Sequence, residues 1–222
     1  RHFFRNKVGI EIGGPTRLFN EEVLPVYADA KRIDGVNYSE NTVWGKNDSV
    51  RYEYRKDKSG IFYNMEAVNM DAFENGVYDF LLASHCLEHV ANPIKAFAHW
   101  QRIVKKGGVM LIILPNKRFT FDRKRKYTTF EHILSDYHNN TGEDDLTHMD
   151  ELCAEIDLSM SWEKIDLPEF RTKLERNIEN RMMHHHVFDR KLVQSIFDFS
   201  GIRMTDYYFM EPFHDIYIGI KS

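Results

Sequence analysis

Histidine recurs beside carboxylates in four separated stretches of this chain: "SHCLEH" (84–89), "FEHILSDYH" (130–138), "DDLTHMDE" (144–151) and "MMHHHVF" (182–188). An imidazole titrates near neutrality and so suits a general base. Imidazoles beside carboxylates are also good ligands for divalent metals. His132, His138, His148, His184 and His186 therefore admit a metal site, isolated polar contacts, or a base in a metal-free pocket. No HxH or HExxH spacing falls on an expected helix, so no ligand geometry is specified and no metal is assigned. On an extended segment His184 and His186 would point one way and His185 the other.

A second chemistry-bearing stretch is "PNKRFTFDRKRKYTT" (115–129), which gathers Lys117, Arg118, Arg123, Lys124, Arg125 and Lys126. Arg and Lys favour phosphate and carboxylate oxygens. The cluster suggests an anionic ligand, or else a solvated loop partly neutralised by the acids of 143–151. A third is "GIEIGGPTRLF" (9–19), where an apolar run ends at Glu11 and then Gly13, Gly14 and Pro15. Adjacent glycines let backbone amides approach a ligand closely, and Glu11 could accept hydrogen bonds from an amine or hydroxyls. An ordinary strand-to-helix turn is the alternative.

Elements must position these residues. "KVGIEIG", "RIDGVNYS", "GIFYNM", "VYDFLLAS" and "VMLIILP" read as five short apolar strands, the fourth apolar enough to be buried on both faces. Between the last two, Leu87, Val90, Ile94, Phe97 and Val104 recur at helical spacing. Gly107 and Gly108 stop that helix, and Pro93 marks a break or a fresh first turn. "DRKLVQSIFDFSG" gives another amphipathic helix, and "IRMTDYYFM" with "DIYIGIKS" gives two closing strands joined as an antiparallel hairpin. Residues 116–183 are polar and histidine-rich, with at most two or three helical segments. A long excursion of this kind is commonly a functional lid or binding insertion. The expectation is one 222-residue α/β domain: a Rossmann-like, seven-stranded, mostly parallel sheet, its last strand antiparallel, with a helical or irregular insertion at 116–183 after strand five.

Composition narrows the partners. With 30 basic and 34 acidic side chains the formal charge is -4, so nucleic acid is not the leading partner. No apolar run reaches the ~20 residues that span a bilayer. The opening "RHFFRNK" carries no initiator Met and no signal-peptide pattern. Only Cys86 and Cys153 are present, without a CxxC pair, which fits a reducing, cytoplasmic setting.

The order "GIEIGG", "GVNYS", "YNMEA", "YDFLLASHCLEHV", "KKGGVMLIILP" resembles the class I S-adenosylmethionine-dependent methyltransferases, nearest the type 11-like branch with a "LEHV" helix start. The resemblance spans residues 8–115. It implies S-adenosyl-L-methionine as cofactor and S-adenosyl-L-homocysteine as product. It puts Glu11, Gly13, Gly14 and Pro15 at the methionine half, with Pro15 and Thr16 departing from the usual glycine spacing. Asn37 falls where an acid normally binds the ribose, while Asp34 and Asp79 read as structural. Glu66 and Ala67 fall beside the adenine. Ser84 and His85 fall beside the sulfonium, which makes His85 a candidate base. His89, at the helix start, reads as structural.

The same resemblance directs the acceptor to the edge past strand five. Asn116, Lys117, Arg118, Arg123 and Arg125 would then bind it, and His132, His148 and His186 would line its pocket as further candidate bases. The expected reaction is methyl transfer to a small polar or anionic acceptor, preferably a hydroxyl of a sugar- or phosphate-bearing metabolite in surface-polysaccharide biosynthesis. An RNA or protein methyltransferase, or a non-catalytic cofactor-binding module of the same fold, are the alternatives. The oligomeric state is not specified.

Overall fold

The computed structural model describes residues 3–20, 24–46, 50–161 and 163–222. Strands are β1 (Val8–Ile12), β2 (Arg32–Asn37), the small hairpin β3 (Asn41–Thr42) and β4 (Gly45–Lys46), β5 (Arg51–Arg55), β6 (Lys58–Asn64), β7 (Tyr78–Ser84), β8 (Val104–Pro115), β9 (Ile202–Met210) and β10 (His214–Lys221). Helices are α1 (Val26–Asp29), α2 (Pro93–Ile103), α3 (Phe130–Asn139), α4 (Met149–Glu155), α5 (Leu167–Glu175), α6 (Asn177–Asn180) and α7 (Arg190–Phe199).

The main sheet runs β5-β6-β2-β1-β7-β8-β10-β9. From β6 to β8 all neighbours are parallel, and β10 lies antiparallel between β8 and β9. The seven expected strands are therefore joined by an eighth, β5, antiparallel to β6 at the edge. Its sequence "RYEYR" is three-fifths charged, so it does not read as a core strand. Only Tyr52 and Tyr54 face inward, at 0% and 5% exposure, while Arg51 and Glu53 are exposed.

Each face of the sheet carries its own apolar layer. On one, Ile10, Ile12 and Val36 pack with Phe97 and Trp100 of α2 and Ile196 and Phe197 of α7. On the other, Ile33, Phe62, Phe80 and Leu82 pack with Phe19, Val26 and Tyr27. Burying a side chain of this size contributes about 1.5–3 kcal/mol, so the sheet is the rigid platform on which its loops are held.

Two local expectations are corrected. The helix ends at Ile103, not at Gly107, because β8 begins at Val104 and pairs with Tyr78 before residues 105–108 bulge out. Gly107 serves that bulge with φ +73°, a left-handed conformation glycine adopts without strain. At the helix start, Asn92 accepts from the Lys95 N–H at 3.1 Å and Pro93 opens the first turn. Among the described residues, 116–183 hold four α-helices rather than two or three. Leu152, Ile156, Phe170, Leu174 and Met183 give them a small apolar core of their own. Among the described residues no helix is long and apolar enough to cross a membrane.

Candidate functional site

The chain runs β1, β2, β6 outward to one side and returns with β7 beside β1, so the sheet reverses between β1 and β7. Loops leaving the carboxyl ends of two such strands diverge and open a crevice. A cavity of about 440 Å³ lies there, within the range that holds a small-molecule ligand. Gly13 and Pro15 follow β1, Asn37 ends β2, Glu66 and Ala67 follow β6, Ser84 ends β7 and His85 follows it; all seven line the cavity. Facing them across the cavity are Phe119, Phe121, Ile156, Met160, Phe170 and Arg181 from the segment after β8.

Glu11 and Gly14 do not reach the cavity. The Glu11 carboxylate is fully buried, and three protein donors converge on it. Tyr27 and Tyr52 hydroxyls donate to Oε2 at 2.7 and 2.8 Å, and the Thr16 N–H donates to Oε1 at 3.0 Å. Burial nevertheless pushes the Glu11 carboxyl up to about 7. Glu11 thus holds the shape of the first loop instead of accepting from a ligand. A Cβ on Gly14 would lie 2.2 Å from the Tyr52 hydroxyl and 2.3 Å from the Glu11 carboxyl carbon. The glycine there makes room for this network. Gly13, at φ +77°, is the residue that turns its backbone to the cavity, and a Cβ on it would sit 2.9 Å from Cys86 Sγ.

Asn37 points its Nδ2 at the Gly14 carbonyl, 2.7 Å away. Its Oδ1 remains an acceptor at the end of β2. Glu66 pairs with Arg181, whose guanidinium lies 5.1 Å from the centre of the Tyr38 ring. Arg181 was not legible as a site residue. It lies over 100 positions from Glu66, in a stretch whose histidines draw the attention. Several buried polar atoms of the cavity-lining residues make no hydrogen bond within the protein: Ser84 Oγ, Glu88 Oε2, Glu143 Oε2 (3.8 Å from His185 Nε2), and Arg181 Nε and Nη1. Buried polar atoms are ordinarily paired, so these five are what a ligand would satisfy. Burial also pushes the Glu143 carboxyl up to about 7.

The histidines divide into two groups. In the first, His85 Nε2 lies 2.8 Å from His214 Nδ1, and His85 Nδ1 lies 3.5 Å from Glu88 Oε1. Burial pulls His214 down to about 4, so its imidazole is neutral at physiological pH. His214 opens β10 just before "DIYIGIKS" and pairs with Pro115 at the end of β8, a position that its neighbouring turn residues do not mark in the sequence. His89 and His184 line the cavity one beside the other, their ring centres 4.5 Å apart. Burial pulls His89 down to about 4. Burial alone would raise the Glu88 carboxyl, but the His85 hydrogen bond and the surrounding histidines hold it below its ordinary range.

His132, His148 and His186 form the second group, away from the cavity. His132 and His148 share an Nε2–Nε2 contact of 3.2 Å and border a separate hollow with Lys124 and Lys126. His186 is buried, with Nε2 3.2 Å from the Ala91 carbonyl. None of the three lines the cavity between β1 and β7, and His184 and His186 do not face one site.

The basic cluster is corrected in the same way, since none of its members lines the cavity. Arg125 is 1% exposed and donates to Asp122 Oδ1 at 2.9 Å, Glu151 Oε1 at 3.1 Å and the His184 carbonyl at 2.9 Å. Arg123 pairs with Asp157, and Lys117 donates to the Arg125 carbonyl and lies over the Tyr127 ring. Asn116 caps the turn that follows β8, accepting from the Arg118 N–H, and its Nδ2 donates to Asp215. Internal acids and carbonyls thus hold Lys117, Arg123 and Arg125, while Lys124 and Lys126 border the separate hollow.

The family model described as a methyltransferase domain matches residues 2–193. No curated protein matches the chain. Among solved structures, a Methanosarcina mazei S-adenosylmethionine-dependent methyltransferase is 12% identical, covers 99% of this chain and 95% of its own, and superposes with a TM-score of 0.54. An Aquifex aeolicus S-adenosylmethionine-dependent methyltransferase is 9% identical over 99% of this chain and 85% of its own, at 0.53. The Burkholderia thailandensis 1,6-didemethyltoxoflavin-N1-methyltransferase, with bound 1,6-didemethyltoxoflavin and S-adenosylhomocysteine, is 10% identical over 98% and 72%, at 0.52. At such identities the likeness is one of fold, and it agrees with the sheet order and with the crevice between β1 and β7. The chain belongs to the methyltransferase-domain family and is a class I S-adenosylmethionine-dependent methyltransferase.

Proposed function

We propose that the cavity holds S-adenosylmethionine along the strand ends and a hydroxyl-bearing acceptor beneath residues 116–183. The methionine end lies against Gly13 and Pro15, the ribose at Asn37, and the adenine at Glu66 and Ala67. The methyl group is directed past Ser84 toward His85. Residues 116–183 act as the acceptor-binding insertion, which is supported by side chains of this segment lining the cavity, among them Phe119, Phe121, Ile156, Met160, Phe170 and Arg181. The observation that carries the reading is the set of unpartnered buried polar atoms on Ser84, Glu88, Glu143 and Arg181, all on residues lining one cavity.

The acceptor is a neutral polyol, with a sugar of a surface-polysaccharide precursor preferred. Among the described residues Arg181 is the sole Lys or Arg side chain lining the cavity, and Glu66 pairs with it. A phosphate-bearing acceptor is therefore disfavoured. The acceptor oxygen attacks the methyl carbon in line, the carbon–sulfur bond breaks with its electron pair left on sulfur, and S-adenosylhomocysteine departs. Alignment of the two reactants is the main contribution. His85, backed by His214 and Glu88, is placed to remove the hydroxyl proton, worth about 10²–10⁴-fold where a base is needed.

Calorimetry with S-adenosylmethionine and S-adenosylhomocysteine, followed by transfer of labelled methyl to a panel of sugars, nucleotide sugars and RNA, tests this. Saturable cofactor binding with label on a sugar hydroxyl is expected. Label only on RNA or protein overturns the acceptor reading. A His85→Gln variant that turns over within tenfold of the parent overturns the base.

A further inference from the structure

We propose that Glu88, His89 and His184 bind a divalent first-row transition-metal cation, of the Zn²⁺ or Mn²⁺ kind, which holds the acceptor hydroxyl in the cavity. The inference rests on reading that cavity as the site of O-methylation.

One donor atom from each of the three residues lies within 4.8 Å of the others. Ligand atoms about 2.0–2.2 Å from one ion sit about 3–4 Å apart, so slight side-chain rotation closes the set. Each ligand is also held by a second partner that leaves the correct atom free. His184 Nδ1 lies 2.6 Å from Asp122 Oδ2, and His89 Nδ1 lies 3.2 Å from the Met183 carbonyl. Both acceptors require an Nδ1–H, which leaves each Nε2 with its lone pair. A histidine ligand oriented by a carboxylate or carbonyl is the usual arrangement at metal sites. Glu88 turns Oε1 toward His85, while Oε2 is buried with no partner and the residue is 2% exposed. A buried, unpaired carboxylate oxygen beside two imidazole lone pairs is costly without a cation. Asp122 is itself fixed by Arg125, which gives that arginine a purpose at the site without contact with substrate.

Two imidazoles and one carboxylate leave coordination positions open, and they favour zinc or manganese over the all-oxygen sites of magnesium or calcium. A hydroxyl bound there would give up its proton to His85 more readily. The oxygen then forms the bond to the methyl carbon, the sulfur–methyl bond breaks, and the electron pair remains on sulfur. The other histidine cluster is a weaker candidate. His132 and His148 satisfy each other, and the His132 side chain is 42% exposed.

Chelator-treated protein is titrated calorimetrically with Mn²⁺ and Zn²⁺, and with Co²⁺ while the visible spectrum is followed. S-adenosylmethionine binding is titrated in parallel without metal, and it also reports that each variant is folded. One cation should bind per chain, with nitrogen-ligand bands for Co²⁺. Glu88→Gln and His184→Gln should weaken it at least tenfold, and Asp122→Asn, which touches no metal, by about 10–100-fold. His148→Ala should leave it unchanged. No saturable binding of any of the three cations overturns the proposal, as does binding lost in His148→Ala and retained in His184→Gln. Cofactor binding with no binding of any cation leaves the methyltransferase site standing and sinks the metal; cation binding with no cofactor binding does the reverse.

Discussion

Replacing Glu11 with Gln should change how the stability of this protein depends on pH. The folded carboxyl, buried beneath the first loop, is pushed from its ordinary 4.5 up to about 7. Below about pH 4.5 it is protonated in both folded and unfolded chains, and its contribution to stability is fully present. Between 4.5 and 7 the unfolded chain ionises while the folded one still holds its proton, so stability falls as the pH rises. Above 7 the folded state carries the buried anion and the loss is complete. A rise from 4.5 to about 7 corresponds to about 3 kcal/mol at about 1.36 kcal/mol per pH unit. Gln keeps one oxygen for the Tyr27 and Tyr52 hydroxyls but has no proton to release. Urea unfolding of both proteins, followed by far-UV circular dichroism from about pH 5 to about pH 8.5, gives the difference directly. Glu143 is raised to about 7 as well, but it is common to both chains and cancels. The parent's advantage over the variant should shrink by about 2–3 kcal/mol across this window, the rest of the loss falling below pH 5. Two parallel curves would refute the assignment of a raised carboxyl to Glu11.

Three other outcomes follow from the same geometry. Gly13→Ala should weaken S-adenosylmethionine binding at least tenfold by calorimetry, because φ is +77° and the new Cβ would meet Cys86 Sγ at 2.9 Å. Arg125→Met should cost about 3–5 kcal/mol in urea unfolding, since it strands the buried Asp122 without its cation; a loss under 1 kcal/mol would return Arg125 to the surface role that its basic neighbours suggest. Asp189→Ala removes the acceptor for the Leu192 N–H at 2.7 Å that caps α7, and should cost about 1 kcal/mol in the same assay.

The parallel strands were legible because each is a short apolar run ended by glycine or a turn residue, as at Ile12–Gly13 and Val36–Asn37. The eighth strand was not, because its burial is confined to two tyrosines alternating with charged residues. The crevice residues at the strand ends followed from the order of motifs along the chain. Charge and residue type misled where tertiary partners decide the outcome. Arg125 reads as a ligand-binding cation, yet Asp122, Glu151 and two backbone carbonyls enclose it. The "HHH" run reads as one alternating unit, yet its side chains go to three environments: His184 to the cavity, His185 to Asn177, and His186 to the Ala91 carbonyl. Arg181 and His214 meet their site partners only through contacts of 115 and 129 positions, a range at which local pattern carries no information.

The edge strand β5 has a consequence for how such an enzyme can be adjusted. Its Tyr52 hydroxyl reaches Glu11, 41 positions away, and so braces the loop that carries Gly13, while Tyr52 itself lines no part of the cavity. Affinity for the methyl donor can then be tuned by substitutions at the rim of the sheet. If the cofactor lies against Gly13 as proposed, a library varied over residues 51–64 would act on its retention from outside the cavity.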